Sequence, residues 1–283
     1  MINTRKIKFK KVLERSIQIF IIVFTLGVSI FPIVWLIMTS IRPIVEITSS
    51  ELMLFPQKFT LSNYETVFEY YHFSDYVLNS IIISVSVVIT NIIIGAPAGY
   101  VLARYSFTGE GIIFIIIIFM RMVPMVAVVV PMFIIFSNLG LLDTKASLII
   151  AHTAFKLPVT IWLLRGFFAD IPRELEDSAR VDGCSTIGAL VRIAMPLVKP
   201  GIAASSVLAF MYTWNDFIVT LVLSNTLESE MIALGLSKFL QEFGVAWGPL
   251  TAAGTLMFIP TLLFVFVAER YLVRGLTLGA IKG

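Results

Sequence analysis

Residues 112–119 read IIFIIIIF, eight apolar side chains without a polar interruption. A half-buried strand alternates polar and apolar residues, and a strand of a membrane barrel does so over about ten residues. This run does not alternate. It reads as a helix that is apolar on every side and needs an apolar surrounding. Followed outward, the low-charge stretch reaches from Glu110 to Asp143 with one interruption, Arg121. About 20 such residues carry a helix across a hydrocarbon layer of about 30 Å.

The pattern recurs along the chain. No charge occurs between Arg15 and Arg42, between Asp75 and Arg104, or between Glu242 and Glu269. Two further runs hold one charge each: Lys156 between Lys145 and Arg165, and Asp216 between Lys199 and Glu228. An all-α integral membrane protein with six transmembrane helices is expected, near residues 17–40, 76–101, 112–137, 147–165, 200–223 and 251–273. Composition agrees, since 58% of the 283 residues are hydrophobic and 14% are charged, far from the balance of a soluble domain. The basic start and first apolar run could mimic a secretory signal, but the run is long and lacks a small-residue cleavage site before Trp35, so an uncleaved first span is expected.

Charge asymmetry orients the spans. Arg5, Lys6, Lys8, Lys10, Lys11 and Arg15 precede the first span. Arg104, then Arg165, Arg173, Arg180, Arg192 and Lys199, then Arg270, Arg274 and Lys282 fall on the same side. The other side has only Arg42, Lys58, Lys145 and Lys238. The positive-inside rule therefore places both termini in the cytoplasm. The parts are a basic N-terminal segment (1–16), a membrane domain (17–273) and a C-terminal tail (274–283). The net charge of +3 comes from these flanks, and nothing else suggests nucleic acid. Cys184 is the single cysteine, so no disulfide framework exists, and His72 and His152 are too far apart in sequence to suggest a metal site.

One polar island interrupts this membrane pattern: residues 171–201, IPRELEDSARVDGCSTIGALVRIAMPLVKPG. Pro172 suits the start of a helix, and Glu174, Glu176 and Asp177 sit in its early turns, where acids complement the dipole. Asp182-Gly183 signals a C-terminal cap or turn. Ser185 can cap a second short helix to about Ala194, with Pro196 and Pro200 ending it before the fifth span. Two short helices bent at Gly183 are predicted, either as an ordinary re-entry loop or as a surface on which another protein can push.

These residues resemble the EAA loop of the permeases of ABC importers, E-A-A-x-x-x-G followed after nine residues by I-x-L-P. Here the pattern runs Asp177-Ser178-Ala179, Gly183, Ile193 and Met195-Pro196. The chain is most similar to binding-protein-dependent sugar permeases of the maltose type. That similarity also rests on Arg104-Tyr105, Pro124, Pro131, Leu139-Gly140-Leu141, IWLLRGFF at 161–168, Trp214-Asn215-Asp216-Phe217 and the tail GLTLGAIKG at 275–283. Asp177 replaces the motif's Glu, Ser178 its first Ala and Met195 its Leu; Glu176 lies beside Asp177 and could take the acid's contact.

The resemblance implies an ABC importer subunit for a sugar or oligosaccharide. The loop would be a coupling helix seated in a groove of a cytoplasmic ATPase, with Glu174, Glu176, Asp177, Ser178, Ala179, Asp182, Gly183, Ile193 and Pro196 as its coupling residues. Implied partners are a second homologous permease, a dimer of ATPase subunits that hold ATP and Mg, and an extracytoplasmic solute-binding protein. The tail, with Gly275, Gly279 and Gly283, would reach toward the ATPase dimer. The chain itself has no G-x-x-x-x-G-K-[ST] phosphate loop, so it is read as a transporter subunit with no cofactor and no catalytic residue of its own.

Charges inside spans cost about 2.5–3.5 kcal/mol each on insertion scales and mark functional positions by default. Arg121, Lys156 and Asp216 fall at similar depths, with Trp214 and Asn215 beside Asp216. They line a translocation pathway for hydroxyl-rich solute, or Asp216 pairs with one cation to orient helices. With one acid and two cations, an anionic sugar is a further option. The alternative class is an ion-coupled secondary transporter, which would need membrane carboxylates and inverted repeats. Asp216 is the only mid-span acid, and no repeat is evident. Gly95-x-x-x-Gly99 offers a close helix approach.

Overall fold

The computed structural model describes residues 2–49, 55–241 and 244–279. The last four residues of the expected tail, including Lys282 and Gly283, lie outside the described residues. The principal helices are α1 (Ile2–Ser40), α2 (Phe73–Arg104), α3 (Glu110–Met120), α4 (Met125–Asn138), α5 (Lys145–Ala169), α6 (Arg173–Val181), α7 (Thr186–Ala189), α8 (Lys199–Trp214), α9 (Ile218–Leu223), α10 (Ile232–Ser237) and α11 (Trp247–Gly279). A two-residue antiparallel pair, β1 (Leu240–Gln241) with β2 (Gly244–Val245), is the only sheet among the described residues. α11 is helical through Gly279, so the described part of the tail is not an irregular segment.

Among the described residues, four helices are long and apolar enough to cross a membrane: Glu14–Ser40 of α1, all of α2, all of α5, and Trp247–Phe266 of α11. Six result if each of two bent pairs is one span. The straight span expected over 112–137 is instead α3 and α4, meeting at 94° across Arg121–Pro124. Pro124 has no amide hydrogen for the helical ladder and drives Val123 out of the α region. The span expected over 200–223 also breaks, at Asn215–Phe217. There the Asp216 carboxylate accepts from Val219 N at 2.8 Å, satisfying one orphan donor of α9 as it restarts.

Two compact units divide the chain: Met1–Tyr71 with Phe239–Leu256, and His72–Lys238 with Met257–Gly283. In the first, Asn63 closes the end of α1. Its Nδ2 donates to Ser40 O and Arg42 O at 2.8 Å each, and Tyr64 OH lies 2.8 Å from Ser40 Oγ. Gly248 makes room, because a Cβ there would run into the Asn63 amide.

In the second unit α2 lies against α5. Helices in lipid gain little from burying apolar surface, so close backbone approach and dispersion hold them together. Gly95 and Gly99 supply that approach: a Cβ on Gly95 would stand 2.7 Å from Thr160 Cγ2, and one on Gly99 3.0 Å from Arg165 N and 3.2 Å from Ile161 O. Gly201 gives α8 the same access to Phe167. At the start of α2, Ser80 Oγ accepts from Ile232 N at 2.7 Å, while Asn79 Nδ2 donates to Leu227 O and Glu230 O, so the loop carrying α10 is fixed to it.

Candidate functional site

The polar island folds as a bent hairpin whose bend follows from its residues. α6 ends at Asp182, and Gly183 takes φ +84°, a left-handed conformation that suits glycine. Cys184 N donates to Ala179 O at 2.9 Å and Gly183 N to Arg180 O at 3.0 Å, the paired bonds of a Schellman cap. Ser185 Oγ then accepts from Gly188 N at 3.1 Å and starts α7. The second helix does not stop near Ala194 as expected. A π turn at Leu190–Ala194 carries it through Met195–Leu197, and the chain turns by 79° into α8. The wider turn accommodates Pro196, which lacks the amide that an α turn would use.

One face of this hairpin is exposed. Glu174, Asp177, Ser178, Asp182, Gly183 and Pro196 face outward, whereas Ala179 and Ile193 are half-buried. Between the acids stand apolar side chains: Leu175, Val181 and Ile187 are 47%, 87% and 74% exposed. The exposed face of the hairpin therefore mixes apolar and acidic side chains.

Glu176 departs from the expected outward role. It is 2% exposed and turns inward, accepting from Tyr100 OH at 2.5 Å and from Arg104 Nε at 2.8 Å, with Arg104 Nη2 at 2.7 Å. The same Nη2 donates to Ile171 O at 3.0 Å. Both guanidinium nitrogens meet one oxygen, Oε1, while Oε2 takes the Tyr100 hydroxyl, so each carboxylate oxygen has a donor inside the fold. Around it Ala96, Tyr100, Leu164, Phe168, Leu190 and Ala194 pack as one buried cluster. Glu176 thus fastens α6 to α2 and cannot stand in for Asp177 at the surface.

In the second unit, the exposed Arg121 and the buried Lys156 both stand against the Tyr212 ring. Arg121 Cζ is 5.4 Å and Lys156 Nζ 5.6 Å from the Tyr212 centroid. An open cleft of about 460 Å³ is lined by Arg121, Trp162, Leu208 and Tyr212 among others, and a narrow recess adjoining it is lined by Lys156, Thr160 and Ser205. Asp216 forms no ion-pair contact within 4 Å with either cation among the described residues, although its charge reaches Lys156; its carboxylate caps α9. Trp214 does not belong with the cleft residues. It is fully buried, its Nε1 donates to Met257 O at 3.1 Å, and it stacks on Phe210, which stacks on Phe264. Asn215 is exposed and donates to Met211 O.

Three partners were not foreseen from sequence: Tyr100, Tyr212 and Trp162. Tyr100 and Arg104 are one turn apart, as are Tyr212 and Asp216, so an i, i+4 search around each charge finds two of them.

At the far end of α5, Asp143 ties two loops. Its Oδ1 accepts from Asn225 N (2.9 Å), Thr226 N (3.0 Å) and Ser229 Oγ (2.6 Å), and its Oδ2 from Thr226 Oγ1 (2.7 Å). Burial alone would raise its pKa, but these donors outweigh it and hold the carboxyl down at about 2, against an ordinary 3.8.

Residues 93–278 match the model of the family described as binding-protein-dependent transport system inner membrane component. The diacetylchitobiose uptake system permease protein DasC of Streptomyces coelicolor is 35% identical over 238 residues, 84% of this chain and 86% of that one. The trehalose transport system permease protein SugB of Mycobacterium tuberculosis is 33% identical over 232 residues, 81% and 85% of the two chains. A chain from the crystal structure of a bacterial ABC transporter that imports the acidic polysaccharide alginate superposes with a TM-score of 0.81, covering 92% of this chain and 96% of that one at 23% identity. At that identity the likeness is one of fold.

Proposed function

Because this chain belongs to the binding-protein-dependent transport system inner membrane components, we propose that it is the permease subunit of an ATP-driven ABC importer for a sugar or oligosaccharide. Sugar uptake is named for its relatives DasC and SugB, each matched over more than four-fifths of its length. In this reading the bent hairpin at 171–201 faces the cytoplasm, as the basic flanks suggest, and seats on an ATPase subunit. A second permease completes the pathway, and a solute-binding protein delivers the sugar from outside. ATP and Mg belong to the ATPase pair.

The observation that carries this reading is the buried Glu176–Arg104 pair. An exposed hairpin that only re-enters the membrane needs no such anchor. Here α6 is tied to α2, and α2 is seated through Gly95 and Gly99 on α5, the helix bearing Lys156. Displacing α6 therefore moves a packed pair of spans rather than bending a loop, since close-packed interiors transmit displacement. Closure of the ATPase pair would push on Leu175, Val181 and Ile187 and rock α2 and α5 together, alternating access to the cleft.

Co-expressing the chain with candidate ATPases, a partner permease and a solute-binding protein, then assaying proteoliposomes, tests the reading. Sugar uptake that requires both ATP and the binding protein is expected. Uptake without nucleotide, driven by an ion gradient, would contradict it.

A further inference from the structure

We propose that the Arg121–Tyr212–Lys156 cleft is a subsite for the anionic group of an acidic saccharide. This inference rests on the sugar-import reading and narrows it.

The reasoning starts from charge balance. Lys156 is 5% exposed, sits in a membrane-spanning helix, and has no carboxylate in ion-pair contact among the described residues. Arg121 stands at the exposed break between α3 and α4, also without an acid. The nearest candidate acid, Asp216, already uses Oδ1 on Val219 N. Two cations therefore converge on one aromatic ring in the membrane domain, and the one acid whose charge reaches Lys156, Asp216, leaves one positive charge in excess. Such a site is costly when empty and is relieved by a passing anion.

Hydrogen-bond chemistry sharpens the choice. Ammonium and guanidinium groups are donors only. A neutral sugar hydroxyl must also donate, which these two groups cannot satisfy. A carboxylate accepts at both oxygens and matches the guanidinium fork, with Lys156 as a point charge from the recess. Trp162 lines the cleft, is 53% exposed and offers apolar surface to a sugar ring, and the cleft of about 460 Å³ falls within the usual range for small ligands. The recess beside Lys156 holds only about 10 Å³, so the anion would stay in the open cleft at Arg121 while Lys156 acts on it as a charge from behind.

The test uses the complete transporter in proteoliposomes with ATP inside, a uronic-acid trisaccharide, and the same trisaccharide with its carboxyls reduced to alcohols. Wild type is expected to favour the acidic sugar. Arg121→Gln and Lys156→Gln should each lower the acidic-to-reduced uptake ratio about tenfold, the effect of losing one charge-assisted hydrogen bond. Arg121→Lys and Lys156→Arg should recover most of it. Because Arg121 is exposed at a helix break, its variants test the idea even where Lys156→Gln fails to assemble. An unchanged ratio in Arg121→Gln, or wild-type preference for the reduced sugar, overturns the subsite and leaves sugar import standing. Equal loss of both sugars, or loss of the second permease, means that the cations serve the subunit interface and also overturns it. Uptake of neither sugar by wild type, despite ATP hydrolysis stimulated by the binding protein, overturns the sugar reading itself.

Discussion

Glu176 and Arg104, 72 residues apart in sequence, meet as a buried ion pair, and through it an exposed hairpin is fixed to a helix long and apolar enough to span a membrane. Tyr100, one turn before Arg104, completes the grip on the carboxylate.

Removing one member of a buried pair strands the other's charge, at a cost of about 3–5 kcal/mol. Glu176→Leu and Arg104→Met should each lower the melting temperature of the purified complex, and the double variant should lower it less than the sum. In proteoliposomes, each single variant should hydrolyse ATP with little uptake. A fully additive cycle with intact coupling would remove the anchor from the mechanism.

Gly99 is a packing requirement that no side-chain rotation can relieve, because the atoms a Cβ would meet include the backbone of Arg165 and Ile161. Gly99→Ala should cost about 1–3 kcal/mol by overpacking. Gly27, with nothing within 4 Å of its Cβ position, is the control. Gly27→Ala should be neutral or slightly stabilising in an otherwise uninterrupted helix. Thermal unfolding in detergent of the isolated chain decides between them.

Gly183 has open space around it, so its constraint is conformational alone. Gly183→Ala places a Cβ at φ +84° and should cost about 1–2 kcal/mol of local bend stability. ATPase co-purification should weaken while the membrane helices keep their far-ultraviolet circular dichroism.

Asp143 makes one loop junction sensitive to acid. Its folded pKa of about 2 lies below the ordinary 3.8, so the carboxylate's contribution is fully present above that ordinary value and fades as pH falls toward 2. Amide exchange at Asn225 and Thr226 should therefore be slow at neutral pH and lose extra protection between about pH 4 and 2. Asp143→Asn should lack that acid-dependent loss and exchange faster at pH 7.

The spans were legible because hydropathy over about 20 residues is a strong local signal. The Schellman bend was legible too, since Asp182-Gly183 and Ser185 act on their own neighbours. What sequence did not disclose was direction. Trp214 and Asp216 are only two positions apart, but α8 ends at Trp214, so one packs on α11 while the other caps α9. Glu176 and Asp177 are likewise neighbours about 100° apart around a helix, one anchored inside and the other facing out. Pro124 can break a helical ladder, but the residue type alone does not set the 94° angle between α3 and α4.

The central claim is that the hairpin receives force from a nucleotide-driven partner. The direct measurement is site-specific crosslinking of Ile187→Cys, in a Cys184→Ser background, within the assembled transporter with and without ATP. An adduct to the ATPase subunit whose yield changes with nucleotide is expected. No ATPase adduct, with the thiol labelled by a water-soluble maleimide equally in the assembled complex and the isolated chain, would contradict the account.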